Sequence, residues 1–198
     1  MQLKNNYWIF TKAISKTNCD KIIKACLKQS KIKGTVANSK LKLRARNCYV
    51  SWISEDWIYA LLNPFIHTAN RNANWNFQWD WSEACQFTKY NKGQYYDWHC
   101  DSWEGAYNKP NDPNTHGKIR KLSVTLSLSD EKDYKGGELE FDLRNKDPDK
   151  KRNTMICKEI RPKGSLVVFP SFIWHRVRPV TKGSRYSLVI WNLGRPFQ

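Results

Sequence analysis

Histidine is scarce in this sequence: His67, His99, His116 and His175 are the only four. Two of them sit in patterns that suit metal chemistry. His99 and Asp101 form a His-x-Asp pair within Tyr95-Tyr96-Asp97-Trp98-His99-Cys100-Asp101. That run reads as extended, and in a strand residues two apart point the same way. Both side chains then converge on one ion, while Trp98 and Cys100 face away. Asp97 shares the face, as a carboxylate behind the ligands or as the alternative ligand. A third ligand must come from elsewhere, and His175 lies in a second extended run, 74 residues after Asp101. Two histidines and a carboxylate on one face of a metal leave three positions open, an arrangement suited to non-haem Fe(II). A His-x-Asp pair alone says little, because such pairs are common on strand surfaces. Arg185 makes it informative. It stands ten residues after His175 and opens the next strand after Thr181-Lys182-Gly183-Ser184. A fixed guanidinium there can take a carboxylate bidentately. Ser187 shares its face and can donate a hydroxyl to the same carboxylate. His116, in a Pro/Asn/Gly loop, reads as solvated, and His67 as a packed or exposed helical residue.

These side chains need strands to hold them, and the period supplies them. Short strands are expected at about 84–90, 94–101, 119–129, 137–143, 154–160, 165–170, 173–179 and 185–193. Lys92-Gly93, Gly136-Gly137, Pro162-Lys163-Gly164 and Lys182-Gly183-Ser184 punctuate them. No helical pattern intervenes, so a sandwich or jelly roll is expected rather than a βαβ fold. Trp75, Phe77, Trp79 and Trp81 alternate with polar residues and predict one more strand, with an aromatic face packed on helices. Residues 1–73 read as a helical lobe behind a short strand at Tyr7–Phe10. Thr17 with Asp20 suggests a capping box. Ile22, Ile23, Cys26 and Leu27 share a helical face. Ser54 is placed to cap a second helix, and Pro64 to end it and begin another. The loop 102–117, with Trp103 and Tyr107, is a candidate substrate lid, and 144–153 reads as a charged turn.

The chain has 198 residues, which suits one domain over 1–198: a support lobe over 1–73 and a strand-built core over 74–198. Basic residues number 34 against 18 acidic ones, a net charge of +16. That excess invites a nucleic-acid or anionic partner without establishing one. No apolar run is long enough for a transmembrane helix, and no apolar segment follows the N-terminus as in a signal peptide. The six cysteines form no Cys-x-x-Cys pair. Reduced thiols and a cytoplasmic location are therefore expected.

The stretch Gln86-Phe87-Thr88-Lys89-Tyr90-Asn91-Lys92-Gly93-Gln94-Tyr95-Tyr96-Asp97-Trp98-His99-Cys100-Asp101 resembles a signature of the Fe(II)/2-oxoglutarate-dependent dioxygenases, in their prolyl 4-hydroxylase-like branch. Lys121–Ser129, Gly136-Gly137-Glu138-Leu139 and Lys163–Pro170 are similar to the same branch, so the resemblance covers about 84–193. It implies a mainly β, α+β fold: a double-stranded β-helix, or jelly roll, with N-terminal helical support as in short stand-alone members from bacteria and bacteriophages. It implies Fe(II) held by His99, Asp101 and His175. It implies 2-oxoglutarate held by Arg185 and touched by Tyr90, with O2 as co-substrate and L-ascorbate as a further cofactor. The implied reaction is hydroxylation of a C–H bond in a protein or peptide side chain, yielding succinate and CO2. Many prolyl hydroxylases carry Lys at the Arg185 position, which loosens the link to proline. Ser127 stands where some relatives place a carboxylate-binding tyrosine. Two rival readings are the same chemistry on nucleic acid and a non-catalytic jelly-roll binding module. The last strand, Arg185–Leu193, lacks the Asn and second Arg typical of nucleic-acid demethylases, and no member of the triad is missing.

Overall fold

The computed structural model describes residues 3, 5–34, 45–102, 105–143 and 153–197. In chain order the elements are β1 (Trp8–Phe10), α1 (Lys16–Leu27), β2 (Ile32–Lys33), β3 (Arg46–Asn47), β4 (Tyr49–Ile53), α2 (Asp56–Asn72), β5 (Trp81–Ser82), β6 (Cys85–Asn91) and β7 (Tyr95–His99). There follow β8 (Ile119–Ser127), β9 (Tyr134–Gly136), β10 (Leu139–Asp142), β11 (Thr154–Ile156), a 3-10 turn (Lys158–Ile160), β12 (Leu166–Pro170), β13 (Trp174–Val177) and β14 (Val180–Gly194). The larger sheet runs β1-β12-β8-β14-β6-β4-β2, with β5 and β9 also paired to β14. The smaller runs β11-β10-β13-β7-β3. All pairings are antiparallel. The fold is the expected double-stranded β-helix with N-terminal helices.

Side-chain alternation decides what each face of the large sheet does. Leu122, Val124 and Leu126 on β8, Leu188 and Ile190 on β14, and Cys85 and Phe87 on β6 form one buried cluster with Ile22, Ile58, Leu62 and Ile66 of the helices. The intervening Ser123, Thr125 and Ser127, Ser187, and Gln86 and Thr88 are buried yet polar. They point between the sheets. A strand with its apolar face on helices and its polar face inward builds a lined cavity rather than a second oily core. Apolar filling between the sheets gathers around Leu139, Phe141, Val167, Phe169 and Ile173 and again around Cys48, Val50, Tyr90, Val177 and Val180.

Several expectations are corrected. The N-terminal segment is not purely helical: β4 extends the large sheet and β3 the small one, so part of the basic 31–47 stretch is strand. The α1 cap is Ser15, whose Oγ accepts from the Asn18 N–H (3.2 Å), not Thr17. Cys19 joins Ile22 and Cys26 on the buried face, whereas Leu27 is exposed. Glu55 occupies the α2 N-cap without a side-chain bond, and the Ser54 hydroxyl instead meets that of Tyr59. α2 runs through Pro64 unbroken. Its buried stripe of Ile58, Leu62, Ile66 and Ala69 outweighs the one hydrogen bond that proline removes. Residues 75–80 form no strand. Asn74 and Asn76 take positive φ (60° and 53°), and Asn70 uses both amide atoms to bind the backbone N–H and C=O of Phe77. Trp75 and Phe77 are still buried, so the period of two reported burial without a ladder. Trp81 lies exposed in two-residue β5. The expected turn at 181–184 lies inside β14. Gly183 (φ 72°) lets that strand leave β9 and continue against β6, because a Cβ there would sit 2.0 Å from the Asp133 carbonyl oxygen. Most of the charged turn 144–153 and Trp103 lie outside the described residues.

Candidate active site

His99 is the last residue of β7, and β13 places His175 directly opposite it in the antiparallel register. Their ring centroids are 4.1 Å apart. Asp101 is beyond the strand, in a bend. Ser171 O accepts from the backbone N–H of both Asp101 (2.8 Å) and Ser102 (2.9 Å), turning the carboxylate inward. Asp101 Oδ1 lies 3.8 Å from His99 Nε2, and Oδ2 lies 3.6 Å from His175 Nε2. One ligand atom from each of the three residues lies within 4.8 Å of the others. The pairing with β13 delivers His99, past an irregularity in β7 that lets Tyr96 and His99 both face the cavity, and a backbone bend delivers Asp101.

The remaining ring atoms set the chemistry of the cluster. His99 Nδ1 is 2.7 Å from Asp97 O, and His175 Nδ1 is 3.0 Å from Ile173 O. A carbonyl can only accept, so each Nδ1 carries the proton and each Nε2 turns a lone pair inward. Ser123 Oγ donates to Asp101 Oδ2 (2.7 Å), and Ser123 and Ser171 share a further hydroxyl bond (2.9 Å). Tyr96 stacks on His99 at 3.5 Å, and Phe169 presents its edge to His175 at 4.8 Å. Burial, then the facing His175, pushes the His99 imidazole down to about 3. Burial pushes the Asp101 carboxyl up, but His175, His99 and Arg120 together hold it below the ordinary carboxylate range. Two imidazoles with Nε2 turned inward and a carboxylate on one side of a shared point are the donor set that a ferrous ion accepts.

The same cavity contains Arg185, Ser187 and Tyr90. Arg185 is 2% exposed, yet no carboxylate pairs with it among the described residues. Its Nη1 donates to Ser187 Oγ (3.3 Å), and its guanidinium lies 5.6 Å from the Tyr90 ring centroid. Burial pushes the Tyr90 hydroxyl far up, so it remains a donor. The two glycines of Gly136-Gly137 also find their reason here. A Cβ on Gly136 would lie 2.3 Å from Pro179 O, and one on Gly137 would lie 3.0 Å from Arg185 Cδ. The turn is stripped of side chains so that β14 and the arginine stem can pass.

The carboxylate of Asp97 stays out of the cluster: it is exposed and accepts from its neighbour's N–H, while its backbone carbonyl holds His99. His67 stacks on Trp79, and exposed His116 accepts from Lys109 N. Cys100 Sγ turns to Ser102 O. Tyr107 of the candidate lid donates to Glu83 (2.8 Å), which also pairs with Arg120. Nine lining residues were not anticipated, among them Arg46, Gln86, Thr88, Tyr96 and Trp191. Arg46 lies over the Tyr96 ring (4.5 Å) and donates to Gln86 Oε1. Gln86 and Thr88 were detectable as polar residues alternating with the buried Cys85 and Phe87. Arg46 carries no local signal in a stretch already rich in lysine and arginine.

A family model described as the 2OG-Fe(II) oxygenase superfamily matches residues 85–192. That range takes in Tyr90, His99, Asp101, His175, Arg185 and Ser187 and leaves out Arg46. A PKHD-type hydroxylase of Synechococcus sp. (strain CC9902) is 39% identical over 100 residues, covering 50% of this chain and 36% of the relative. One from Pseudomonas fluorescens (strain Pf-5) is 34% identical over 105 residues, covering 52% and 40%. The matches thus span about two fifths or less of those relatives. Among solved structures, a Pseudomonas putida prolyl-4-hydroxylase superposes with TM-score 0.68 at 18% identity, covering 98% of this chain and 95% of the other. A Trichoplax adhaerens prolyl hydroxylase, solved with a hypoxia inducible factor peptide fragment, gives 0.64 at 17%, covering 96% and 84%. At such identities the likeness is one of fold.

Proposed function

The chain belongs to the 2OG-Fe(II) oxygenase superfamily, and on that premise we propose that it hydroxylates a C–H bond in a protein or peptide side chain, in the manner of a prolyl 4-hydroxylase, releasing succinate and CO2. The superfamily uses Fe(II), 2-oxoglutarate and O2, and the chain is a dioxygenase of that kind. The observation that carries the reading is a His-Asp-His cluster sharing one cavity with a buried arginine that pairs with no carboxylate among the described residues. His99 Nε2, His175 Nε2 and the Asp101 carboxylate would hold the iron, which when bound supplies the activation of O2. Every other contribution is the chain's own. Asp97 O and Ile173 O fix the imidazole tautomers. Ser123 Oγ holds the Asp101 carboxylate, with Ser171 Oγ bonded behind it, leaving its charge in place but its rotamer fixed. Arg185, with Ser187 Oγ beside it and Tyr90 opposite it on the adjacent strand, would bind the far carboxylate of 2-oxoglutarate and so orient its keto-acid end. Burying a guanidinium without a partner is unfavourable, and an incoming carboxylate relieves it. Leu139, Val177, Val189 and the Trp191 ring line the remaining wall and limit water.

A protein or peptide substrate is supported by the relationship to hydroxylases and by a fold shared with prolyl hydroxylases. The test is succinate release by the iron-loaded chain, measured with proline-containing peptides and with short methylated oligonucleotides. Stimulation by peptides, with a mass gain of one oxygen on a side chain, is expected. Stimulation by oligonucleotides alone would overturn the substrate class while leaving the iron chemistry in place.

A further inference from the structure

The charge of this chain is unevenly distributed. Residues 1–46 hold twelve basic side chains and one acidic one, so +11 of the +16 lies in less than a quarter of the sequence. This stretch lies outside the segment matched by the family model. Its single acid, Asp20, is already paired with Lys163 (2.5 Å). Lys24, Lys28, Lys31 and Lys33 are all exposed, and no carboxylate pairs with any of them among the described residues.

The strand register places part of this charge beside aromatic rings. Lys33 on β2 stands opposite Tyr49 on β4, Tyr49 opposite Lys89 on β6, and Lys89 opposite Tyr186 on β14. Directly opposed residues share a face. The result is a row, Lys33–Tyr49–Lys89–Tyr186, in which cation and ring alternate across four strands. Tyr49 is 42% exposed, and Lys89 Nζ lies 5.7 Å from the Tyr186 ring centroid. Arg185 and Ser187 face the cavity, so Tyr186 between them faces outward, and the row lies on the back of the wall that lines the catalytic cavity. α1 covers the neighbouring part of that face, where Ser51 Oγ donates to Cys26 O (3.3 Å). Lys24 and Lys28 lie on the opposite side of α1 from its buried Cys19, Ile22 and Cys26, so the row itself supplies the cations.

We propose that this outer face is a docking surface for single-stranded nucleic acid, separate from the catalytic cavity and independent of the reaction assigned to it. Lysines spaced across strands track phosphates, and an exposed ring between them offers a stacking platform for a base. A duplex hides its base faces, and an acidic peptide has no use for the ring, so the alternation favours the single strand.

The test uses the full chain without iron or 2-oxoglutarate and a labelled twelve-nucleotide oligothymidylate or oligouridylate, followed by fluorescence anisotropy. Two phosphate contacts, from Lys33 and Lys89, give a log–log salt slope of about −1.4, or roughly 7-fold weaker binding at 200 mM than at 50 mM salt. Lys33→Gln with Lys89→Gln reduces the slope by about 1.4. Tyr49→Ala weakens binding roughly 5- to 150-fold at fixed salt without changing the slope, and Tyr49→Phe, which keeps the ring, retains it. No binding at 50 mM salt overturns the proposal. So does a slope unmoved by the lysine pair. Equal binding of a duplex, or of a polyglutamate peptide, that ignores Tyr49→Ala would also overturn it.

Discussion

Replacing Arg185 by methionine removes the charge and keeps much of the stem, and the structure predicts opposite effects on two measurements. The guanidinium is 2% exposed and has the Ser187 hydroxyl at 3.3 Å, with no carboxylate paired among the described residues. Before 2-oxoglutarate arrives it is a buried charge held by neutral partners. Exchanging such a charge for an apolar chain of similar length is neutral or stabilising, by up to about 2 kcal/mol after the Ser187 hydroxyl loses its partner. The melting temperature of the metal-free protein should therefore stay level or rise by several degrees. Binding of the cosubstrate should collapse. Truncating one side of a buried charge pair costs about 2 to 5 kcal/mol, or roughly 30- to several-thousand-fold in kcat/KM for 2-oxoglutarate. The assay is succinate release across 2-oxoglutarate concentrations, beside a thermal melt of the same preparation. Unchanged dependence on 2-oxoglutarate would refute the role of Arg185. A large loss of stability would refute the view that its charge is a liability in the empty cavity.

Three further outcomes follow from neighbouring contacts. Ser123→Ala removes the hydroxyl that donates to Asp101 Oδ2 at 2.7 Å, and Fe(II) affinity measured by chelator competition should fall about 10- to 100-fold. Gly137→Ala puts a Cβ 3.0 Å from Arg185 Cδ at a φ of 65°. The KM for 2-oxoglutarate should rise while iron affinity holds, and equal loss of both would point to general unfolding. In the metal-free protein the His99 imidazole is depressed to about 3. The unfolded chain takes up that proton near pH 6.5 and the folded one does not, so stability falls as pH drops from about 6.5 towards 3. The loss from this group reaches about 2 kcal/mol by pH 5, measurable by urea unfolding. Stability rising over that range would contradict the burial of His99.

The core of the site was legible because its chemistry needs rare residue types at fixed offsets. His-x-Asp, a distal His and an Arg ten residues on are readable without any knowledge of packing. The barrel was legible because alternation and glycine turns mark strands directly. What stayed hidden depends on three-dimensional context. Pro64 looks like a helix end until the buried stripe on both sides of it is known. Trp75 and Phe77 look like a strand because two asparagines at positive φ reproduce its period of two. β4 is only five residues, Tyr49–Ile53, just past a basic stretch, and its partner β6 lies more than thirty residues away. Arg46 reaches the cavity only through the pairing of β3 with β7, which nothing local encodes. The charge was partly misleading: Lys118, Arg120 and Arg176 near the site are tied to Asp80, Glu83 and Glu140. Lys24, Lys28, Lys31 and Lys33, which pair with no carboxylate among the described residues, gather along α1 and β2 instead.

The most direct test of the central claim is an anaerobic titration of the metal-free chain with Fe(II) and then 2-oxoglutarate, followed by visible absorption. The account predicts a weak charge-transfer band that saturates at one iron and one 2-oxoglutarate per chain and is lost in Asp101→Ala. No band in the unmodified chain, or an unchanged band in Asp101→Ala, would contradict it.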